Sequence, residues 1–404
     1  MKKIVIFGAG RIGRSFIGQI FSRGGYDVVF VDIDHTLVNL LNTHKCYNII
    51  IKGEKVDILH IHHIRGIHFD DTARILDELS STTVTAISVG QTALPSVIPV
   101  IAKSLQQRAD SDKPQPLDII LAENMRDAAG FFKSGLIRML GNDFPLDQLA
   151  GFIETSIGKM VPIMTKKDLE QDPLQLFAEP YNTLILDKKG FRNPVPDIPW
   201  LAPKENIKAW VDRKSFIHNL GHAVSAYTGF LKHPDKIFLY EILEDPEIFQ
   251  TARSTMLQSA KVLMNIHHGE FTMKELKEHI DDLLCRFQNK ALKDTVFRVG
   301  CDLIRKLGPD DRLVAPIKQS VRLDLPCDKI LYALVCGFYF RAKDENGKYH
   351  PADLKFYDNF KPDTGYLLTR FCHFDLLKNK GLIQKARDYC LEINRQYKPE
   401  ISIF

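Results

Sequence analysis

Short runs of β-branched and other apolar residues alternate with helical stretches over the first half of the chain. The runs at 4–7, 28–32, 84–89 and 119–122 predict strands. Strands that alternate with helices in this way are typical of a parallel sheet with helices on both faces. This pattern predicts an α/β fold.

The periodicity changes after a segment in which Pro194, Pro196 and Pro199 forbid a helix. Beyond it, apolar residues recur at helical spacing over about 205–230, 247–265, 273–288 and 292–306. We therefore expect two domains. Residues 1–197 are predicted to form a nucleotide-binding Rossmann domain with a mostly parallel sheet, and residues 198–404 a mainly α-helical substrate domain.

A glycine loop follows the first predicted strand and opens an apolar helix. It has the form GxGxxG, and its candidate cofactor-binding residues are Gly8, Ala9, Gly10, Arg11, Ile12 and Gly13. Gly8 permits a tight turn, Gly10 lets the backbone approach a pyrophosphate, and Gly13 lets the helix pack on the sheet. Between a strand and a helix, this loop predicts a dinucleotide site with its phosphates at the helix N-terminus.

The second predicted strand ends at Asp32, within the spacing that dinucleotide sites use. A carboxylate at this point can accept hydrogen bonds from both ribose hydroxyls of NAD and repels the 2′-phosphate of NADP, so the predicted cofactor is NAD. The alternatives are that Asp32 only caps the next turn, or that Asp34 takes its role. Val89 and Gly90, at the end of the third predicted strand, are expected to complete the crevice.

The segment around Lys214 carries the candidate chemistry. At about 100° per residue, a helical wheel gathers an amine, an amide and two imidazoles on one face, from Lys214, Asn219, His218 and His222. The same face holds small residues, which predict room for a ligand: Ser225, Ala226 and Gly229. The alternative is a polar surface that happens to contain two histidines.

Hydride transfer between an alcohol carbon and a nicotinamide needs a group that accepts the hydroxyl proton. Lys214 can do so if burial in a cleft and the positively charged nicotinamide ring lower its pKa towards neutrality. The developing alkoxide needs fixed hydrogen-bond donors, for which Asn219 and Asn124 are candidates from the two predicted domains. His222 can position a neighbouring hydroxyl. An asparagine placed like Asn124 is more often a turn residue.

Composition disfavours several kinds of partner. The 404 residues include 54 Lys plus Arg against 50 Asp plus Glu, a net charge of +4, so no nucleic-acid partner is predicted. No apolar run approaches the roughly 18 residues that cross a membrane, so no membrane partner is predicted. Seven scattered cysteines without a CxxC pair predict reduced thiols in the cytoplasm.

The chain has one histidine-rich segment, which contains His60, His62, His63 and His68. Alternating isoleucines make it resemble a strand with polar residues on its exposed face. No acidic or cysteine set with ligand spacing accompanies it, so no metal site is predicted.

The arrangement Lys214-x4-Asn219-x2-His222 resembles the signature of the polyol-specific long-chain dehydrogenases and reductases, the mannitol dehydrogenase family. Residues 7–18, 123–125 and 286–313 are also similar, and the resemblance fades after about residue 340. It implies a Rossmann domain, a helical substrate domain and catalysis without metal. It also implies that Lys214 is the general acid/base, that Asn219 and Asn124 polarise the substrate oxygen, and that His222 orients the substrate.

Within that family, the resemblance implies reversible reduction of fructose 6-phosphate to mannitol 1-phosphate with NADH. A substrate phosphate needs cationic partners, for which the candidates are Arg305, Lys306 and Arg312. Salt bridges on a helix surface explain these residues nearly as well. The substrate is thus expected to be a small sugar phosphate, bound by a monomer or a homodimer.

Three points stay open at the level of the sequence. The substrate can instead be a hexuronate (tagaturonate or fructuronate) or unphosphorylated mannitol, and in another class the chain is an NAD(H)-sensing protein without turnover. Gly158 stands where the family usually has an aspartate, which bears on substrate identity. Residues 341–404 have no interpretation beyond helical packing.

Overall fold

The computed structural model describes residues 2–53, 55–162, 164 and 166–404 of the chain. The chain divides into two compact units, Met1–Val211 and Asp212–Phe404. The proline-rich segment at 194–199 therefore belongs to the first unit.

The first unit is built on a mostly parallel sheet. Its strands are β1 (Lys2–Phe7), β2 (Tyr26–Asp32), β3 (Cys46–Lys52), β4 (Val56–His62), β5 (Ile64–His68), β6 (Val84–Ile87), β7 (Leu117–Leu121), β8 (Ala150–Ser156), β9 (Leu176–Ala178), β10 (Leu184–Asp187) and β11 (Leu201–Lys204). In the described residues, eight strands form one sheet in the order β11-β10-β8-β7-β6-β1-β2-β5, and β4, β3 and β9 form a second. Neighbours in the large sheet are parallel, except β8 and β10. The α/β prediction is confirmed.

Both faces of the large sheet are buried, because consecutive side chains of a strand point to opposite faces. Ile4 and Ile6 belong to one buried cluster, while Val5 and Phe7 belong to the other. Burying one such side chain contributes about 1.5–3 kcal/mol, so packing against the helices holds the strands. The carboxyl ends of β1, β2, β6 and β7 share one edge of the sheet, where cofactors bind in such folds.

The helical segments of the first unit include a π-helical turn directly after the glycine loop. They are Gly13–Gly18 (π), Gln19–Arg23, His35–His44, Thr72–Ser80, Leu94–Ala109, Ala128–Leu140, Leu146–Leu149, Lys166–Gln171 and Ile207–Arg213, the last of which ends two residues into the second unit. The histidine-rich segment is not one strand, because His63 takes a left-handed conformation (φ 56°) between β4 and β5.

The second unit is mainly helical, as the periodicity predicts. Its segments are Lys214–Asn219 (π), Leu220–Lys232, Leu239–Leu243, Pro246–Ile266, Met273–Phe287, Lys290–Leu292 (3-10), Val296–Gly300, Leu303–Lys306, Val314–Arg322, Asp328–Phe338, Pro351–Asp358, Thr364–Arg370 and Lys380–Tyr397. The predicted helix over 292–306 is wrong, because Lys293 (φ 48°) and Asp302 (φ 71°) interrupt it with left-handed backbone. Within the described ranges, no helix is long and apolar enough to cross a membrane.

Candidate active site

The glycine loop begins where β1 ends, and steric constraints require glycine at two of its positions. Gly8 has φ +92°, a left-handed conformation that favours glycine. A Cβ on Gly13 would lie 1.9 Å from the Gly8 carbonyl oxygen. By contrast, a Cβ on Gly10 would meet no atom of the described chain within 4 Å. The packing of the chain does not require glycine at position 10, and the open space fits the close approach of a pyrophosphate.

Asp32, at the end of β2, contacts the glycine loop directly. Its Oδ2 accepts a hydrogen bond from the backbone N–H of Ala9 (2.6 Å), and its Oδ1 accepts one from the N–H of Asp34 (3.0 Å). Asp34 is instead the N-cap of the helix His35–His44, where its carboxylate accepts from two backbone N–H groups. Capping of the next turn therefore accounts for only one of the two carboxylate oxygens of Asp32.

The end of β6 is tied to the glycine loop and to the end of β7. The Ser88 hydroxyl donates to the Gly8 carbonyl (3.2 Å), and the Gly90 N–H donates to Glu123 (2.9 Å). Burial raises the pKa of this glutamate, while the N–H donors oppose the shift. Gly90 has φ +88°, which favours glycine. The structure thus brings the residues that are predicted to bind the nucleotide, at the ends of three strands, to one edge of the sheet.

The remaining residues predicted for this unit differ in their environment. Ile12 and Val89 are half-buried and pack against the two core clusters, whereas Arg11 and Asn124 are exposed. Exposed polar groups at this edge are accessible to a ligand, so the geometry is compatible with their predicted roles.

Lys214 begins a π-helical turn, Lys214–Asn219, which continues into the helix Leu220–Lys232. A π turn is hydrogen-bonded from residue i to residue i+5, so a wheel drawn at about 100° per residue does not describe these residues. The apolar side of the predicted wheel is confirmed as core, with Phe216 and Ile217 buried. Such turns are rare in proteins overall, and many of them lie at functional sites. In the described part of the chain, one π turn follows the glycine loop and one begins at the lysine.

Lys214 is half-buried, and its pKa is lowered to about 8. Burial is the main cause, and the positive charge of Arg312 is the next, while Asp311 opposes both. A lysine amine with this pKa can accept a proton near neutral pH, which an ordinary lysine with its pKa near 10.4 cannot do efficiently.

His222 is buried, and no hydrogen-bond partner reaches its Nε2 among the described residues. Its ring stacks on Phe287, with centroids 3.8 Å apart, so its orientation is fixed. Burial, followed by the charges of Arg298 and Arg312, lowers its pKa well below the usual range. His222 is therefore a neutral imidazole whose Nε2 is buried without a hydrogen-bond partner in the described structure.

His218 and the small residues of the same helix have packing roles. His218 is buried and lies edge-on to His222, with ring centroids 4.9 Å apart. The expected room for a ligand beside Ser225, Ala226 and Gly229 is absent in the described structure, so that prediction is wrong. All three are buried; a Cβ on Gly229 would lie 2.2 Å from Ile242. These small side chains let a neighbouring helix approach.

The three predicted phosphate ligands all have partners in their own segment. The Arg305 side chain is 46% exposed and pairs with Asp302 and Asp311. Lys306 is buried and donates to the Val299 carbonyl (2.6 Å); burial is the main cause that lowers its pKa to about 7. The contacts of Arg305 are those that the salt-bridge alternative expects, whereas Lys306 is held by a backbone carbonyl.

Arg312 differs from them in its position. It is buried, its Nε donates to Asp311 Oδ1 (2.7 Å), and one terminal nitrogen lies 3.5 Å from the Asn219 carbonyl. It is also the charge that most lowers the pKa of Lys214 and the second that lowers that of His222. The structure therefore places Arg312 beside the lysine turn. Phe287 and Asp311 lie in the 286–313 stretch that resembles the family, but their contacts with His222 and Arg312 were not predicted.

At Gly158 the chain has space beside Tyr181, because a Cβ there would lie 3.7 Å from the tyrosine ring. The next residue, Lys159, is buried and donates to the Tyr181 carbonyl (2.8 Å) and to Asn182 (3.1 Å). An aspartate at position 158 would face the tyrosine ring, and here the backbone of this segment is held through Lys159 instead.

A histidine group that the sequence analysis missed lies at the end of β5. Ligand atoms of His35, His68 and Asp70 lie within 4.8 Å of one another. Both ring nitrogens of His68 are engaged, with the Ile33 carbonyl (2.9 Å) and the Asp70 N–H (3.3 Å). The His35 and His68 rings are stacked 3.4 Å apart, so their lone pairs run parallel rather than converging on one ion. This geometry favours a structural role.

Two family models match the chain: the mannitol dehydrogenase Rossmann domain over residues 2–200 and the mannitol dehydrogenase C-terminal domain over residues 206–367. The chain is also 30% identical over 350 residues to mannitol-1-phosphate 5-dehydrogenase of Streptococcus mutans serotype c. That alignment covers 86% of this chain and 89% of the relative.

Two solved structures share the fold. A D-sorbitol dehydrogenase in its substrate-free form has a TM-score of 0.80 at 16% identity. The superposition covers 97% of this chain and 93% of that structure. Mannitol 2-dehydrogenase of Pseudomonas fluorescens, in a ternary complex with NAD and D-mannitol, has a TM-score of 0.75 at 16% identity, with coverage of 98% and 92%.

A glycine loop on a parallel sheet, followed by a helical unit that begins with a lysine turn, defines a dehydrogenase. The chain belongs to the mannitol dehydrogenase family.

Proposed function

We propose that the protein is an NAD-dependent dehydrogenase that interconverts mannitol 1-phosphate and fructose 6-phosphate. The relative in Streptococcus mutans supports this substrate pair. The observation that carries the proposal is the position of Arg312, a buried cation beside both Lys214 and His222. Arg312 already pairs with Asp311 through its Nε, and an anionic substrate would give its guanidinium a second charged partner, which a neutral polyol does not.

The edge of the sheet fits NAD. Gly10 provides open space, Asp32 presents a carboxylate beside the loop, and Gly90 continues the same edge. These residues, with Gly8, Ala9, Arg11, Ile12, Gly13 and Val89, would hold the dinucleotide. When bound, NAD accepts a hydride from the carbinol carbon of the substrate.

In the second unit, Lys214 takes the hydroxyl proton from the substrate during oxidation and returns it during reduction. Its lowered pKa lets the amine exist in both protonation states near neutral pH. Asn219 donates a hydrogen bond to the substrate oxygen, and His222 Nε2 binds a neighbouring hydroxyl. We propose Asn124 as a second donor to that oxygen. The chemistry of these residues requires no metal ion.

The cations around His222 fit a phosphate. The charges that lower the pKa of His222 are all basic and are, in order of effect, those of Arg298, Arg312, Lys306 and Arg286. Arg312 is the proposed direct ligand, because Asp311 holds its Nε while one of its terminal nitrogens reaches the lysine turn, 3.5 Å from the Asn219 carbonyl. Arg305 and Lys306 then act mainly through their contacts within the segment.

A side-by-side assay of NADH oxidation with fructose 6-phosphate, fructose and tagaturonate tests the proposal. We expect kcat/KM to be highest for fructose 6-phosphate by at least about 100-fold, since a bidentate charged contact contributes about 3 kcal/mol. Preference for fructose would favour an unphosphorylated polyol enzyme, and preference for tagaturonate a hexuronate reductase. Tight NADH binding without turnover of any of the three would favour a sensor.

A further inference from the structure

The C-terminal part of the chain reaches the segment that holds the proposed phosphate ligand. Asp353, in the helix Pro351–Asp358, is 1% exposed. Its Oδ2 accepts a hydrogen bond from the backbone N–H of Asp302 (3.0 Å), and its Oδ1 accepts one from the N–H of Leu303 (2.6 Å). One buried carboxylate thus binds two consecutive backbone donors.

Those donors belong to a strained turn. Asp302 has φ 71°, a left-handed conformation that is unfavourable for a residue other than glycine. Its N–H and that of Leu303 stand at the start of the short helix Leu303–Lys306, where no helical carbonyl can accept from them. Asp353 therefore stabilises this conformation from a helix far along the chain.

The turn is connected to Arg312 by a series of charged contacts. The Asp302 carboxylate pairs with Arg305, Arg305 lies 3.2 Å from Asp311 Oδ2, and Asp311 Oδ1 accepts from Arg312 Nε (2.7 Å). A change in the backbone at Asp302 therefore alters the support of the Arg312 guanidinium.

We propose that Asp353 is a positioning residue for the substrate phosphate. It fixes the Asp302 turn, and through Arg305 and Asp311 it fixes Arg312 in the orientation that binds the phosphate. This rests on the proposed function, and it assigns a task to the region after residue 340. A residue with a role in folding alone would affect all substrates equally.

The test compares Asp353→Asn with Asp358→Asn, an exposed residue at the end of the same helix. The asparagine turns an acceptor oxygen into a donor that faces a backbone N–H. We expect Asp353→Asn to raise the KM for fructose 6-phosphate about tenfold, since one hydrogen bond to a charged group is lost, with kcat and the KM for NADH within about twofold of the wild type. Asp358→Asn should leave all three unchanged.

An unchanged KM for fructose 6-phosphate in a folded Asp353→Asn variant overturns the proposal, as does an equal rise in the KM for NADH. If that variant does not fold, Asp302→Gly replaces it, because glycine tolerates the left-handed turn and removes the carboxylate that holds Arg305. The same selective rise in KM is then expected, and its absence overturns the proposal. The wild-type protein tests the proposed function separately. A kcat/KM for fructose 6-phosphate that is no higher than that for fructose refutes the proposed function rather than the role of Asp353.

Discussion

Arg312 and Asp311 form an ion pair that is largely removed from solvent, with Arg312 Nε 2.7 Å from Asp311 Oδ1 and the two side chains 7% and 19% exposed. Because the same carboxylate also binds Arg305, Asp311 is held from two sides. One terminal nitrogen of Arg312 lies 3.5 Å from the Asn219 carbonyl, at the end of the lysine turn. This arrangement makes Arg312 a fixed cation beside Lys214 and leads to the first two predictions.

Replacement of Arg312 by methionine keeps an unbranched side chain and removes its charge. We expect the KM for fructose 6-phosphate to rise about 10- to 100-fold, because a charge-assisted contact contributes about 1.5–3 kcal/mol. The KM for NADH should not change. Arg322→Met, an exposed arginine that ends the helix Val314–Arg322, is the control and should match the wild type. Equal increases in both KM values would refute the phosphate role of Arg312.

The pH dependence should follow Lys214. Its amine must be neutral to accept a proton, so kcat/KM for oxidation of mannitol 1-phosphate should rise as the pH increases through about 8. Reduction needs the protonated amine, so its rate should fall over the same range. In Arg312→Met both profiles should shift to higher pH, because the neighbouring charge that lowers this pKa is gone. Profiles that stay in place would show that another group controls proton transfer.

The roles of Asp32 and Asp34 can be distinguished by the cofactor preference of variants at each position. Asp32→Asn keeps an acceptor for the Ala9 N–H but removes the charge that repels a 2′-phosphate. We expect the ratio of kcat/KM for NADPH to that for NADH to rise about tenfold or more. Asp34→Asn should not change the ratio, because asparagine caps a helix as well as aspartate does. The reverse result would give the ribose role to Asp34.

An added methyl group should have different effects at Gly10 and Gly13, on cofactor binding at the first and on stability at the second. Gly13→Ala places a Cβ 1.9 Å from the Gly8 carbonyl oxygen, so it should destabilise the fold by several kcal/mol in a urea titration. Gly10→Ala meets open space, so its unfolding midpoint should not move, while the KM for NADH should increase several-fold. Unchanged NADH binding in folded Gly10→Ala would contradict the pyrophosphate site.

The parts of the fold that local pattern determines were predictable from the sequence. Strands β1, β2, β6 and β7 follow from short apolar runs, and the end of β2 at Asp32 follows from the same pattern. Both depend on residues that are close in the chain or on the general geometry of a parallel sheet.

The lysine turn shows where local pattern fails. The change from α to π hydrogen bonding at Lys214 depends on how that segment packs, so a wheel assigns His218 to a polar face although it is buried. Likewise, the left-handed Asp302 that divides the predicted helix is held by Asp353, 51 residues away. Tertiary contacts of this kind leave no mark in the periodicity of the sequence.

The central claim is that Lys214 transfers the proton during NAD-dependent oxidation of a sugar phosphate. The most direct test measures kcat and NADH binding, by fluorescence titration, for Lys214→Ala beside the control Lys208→Ala, an exposed lysine just before it. We predict a loss of at least about 100-fold in kcat for Lys214→Ala, the usual contribution of a general acid/base, with NADH binding unchanged. Activity of Lys214→Ala close to that of the control would contradict the account.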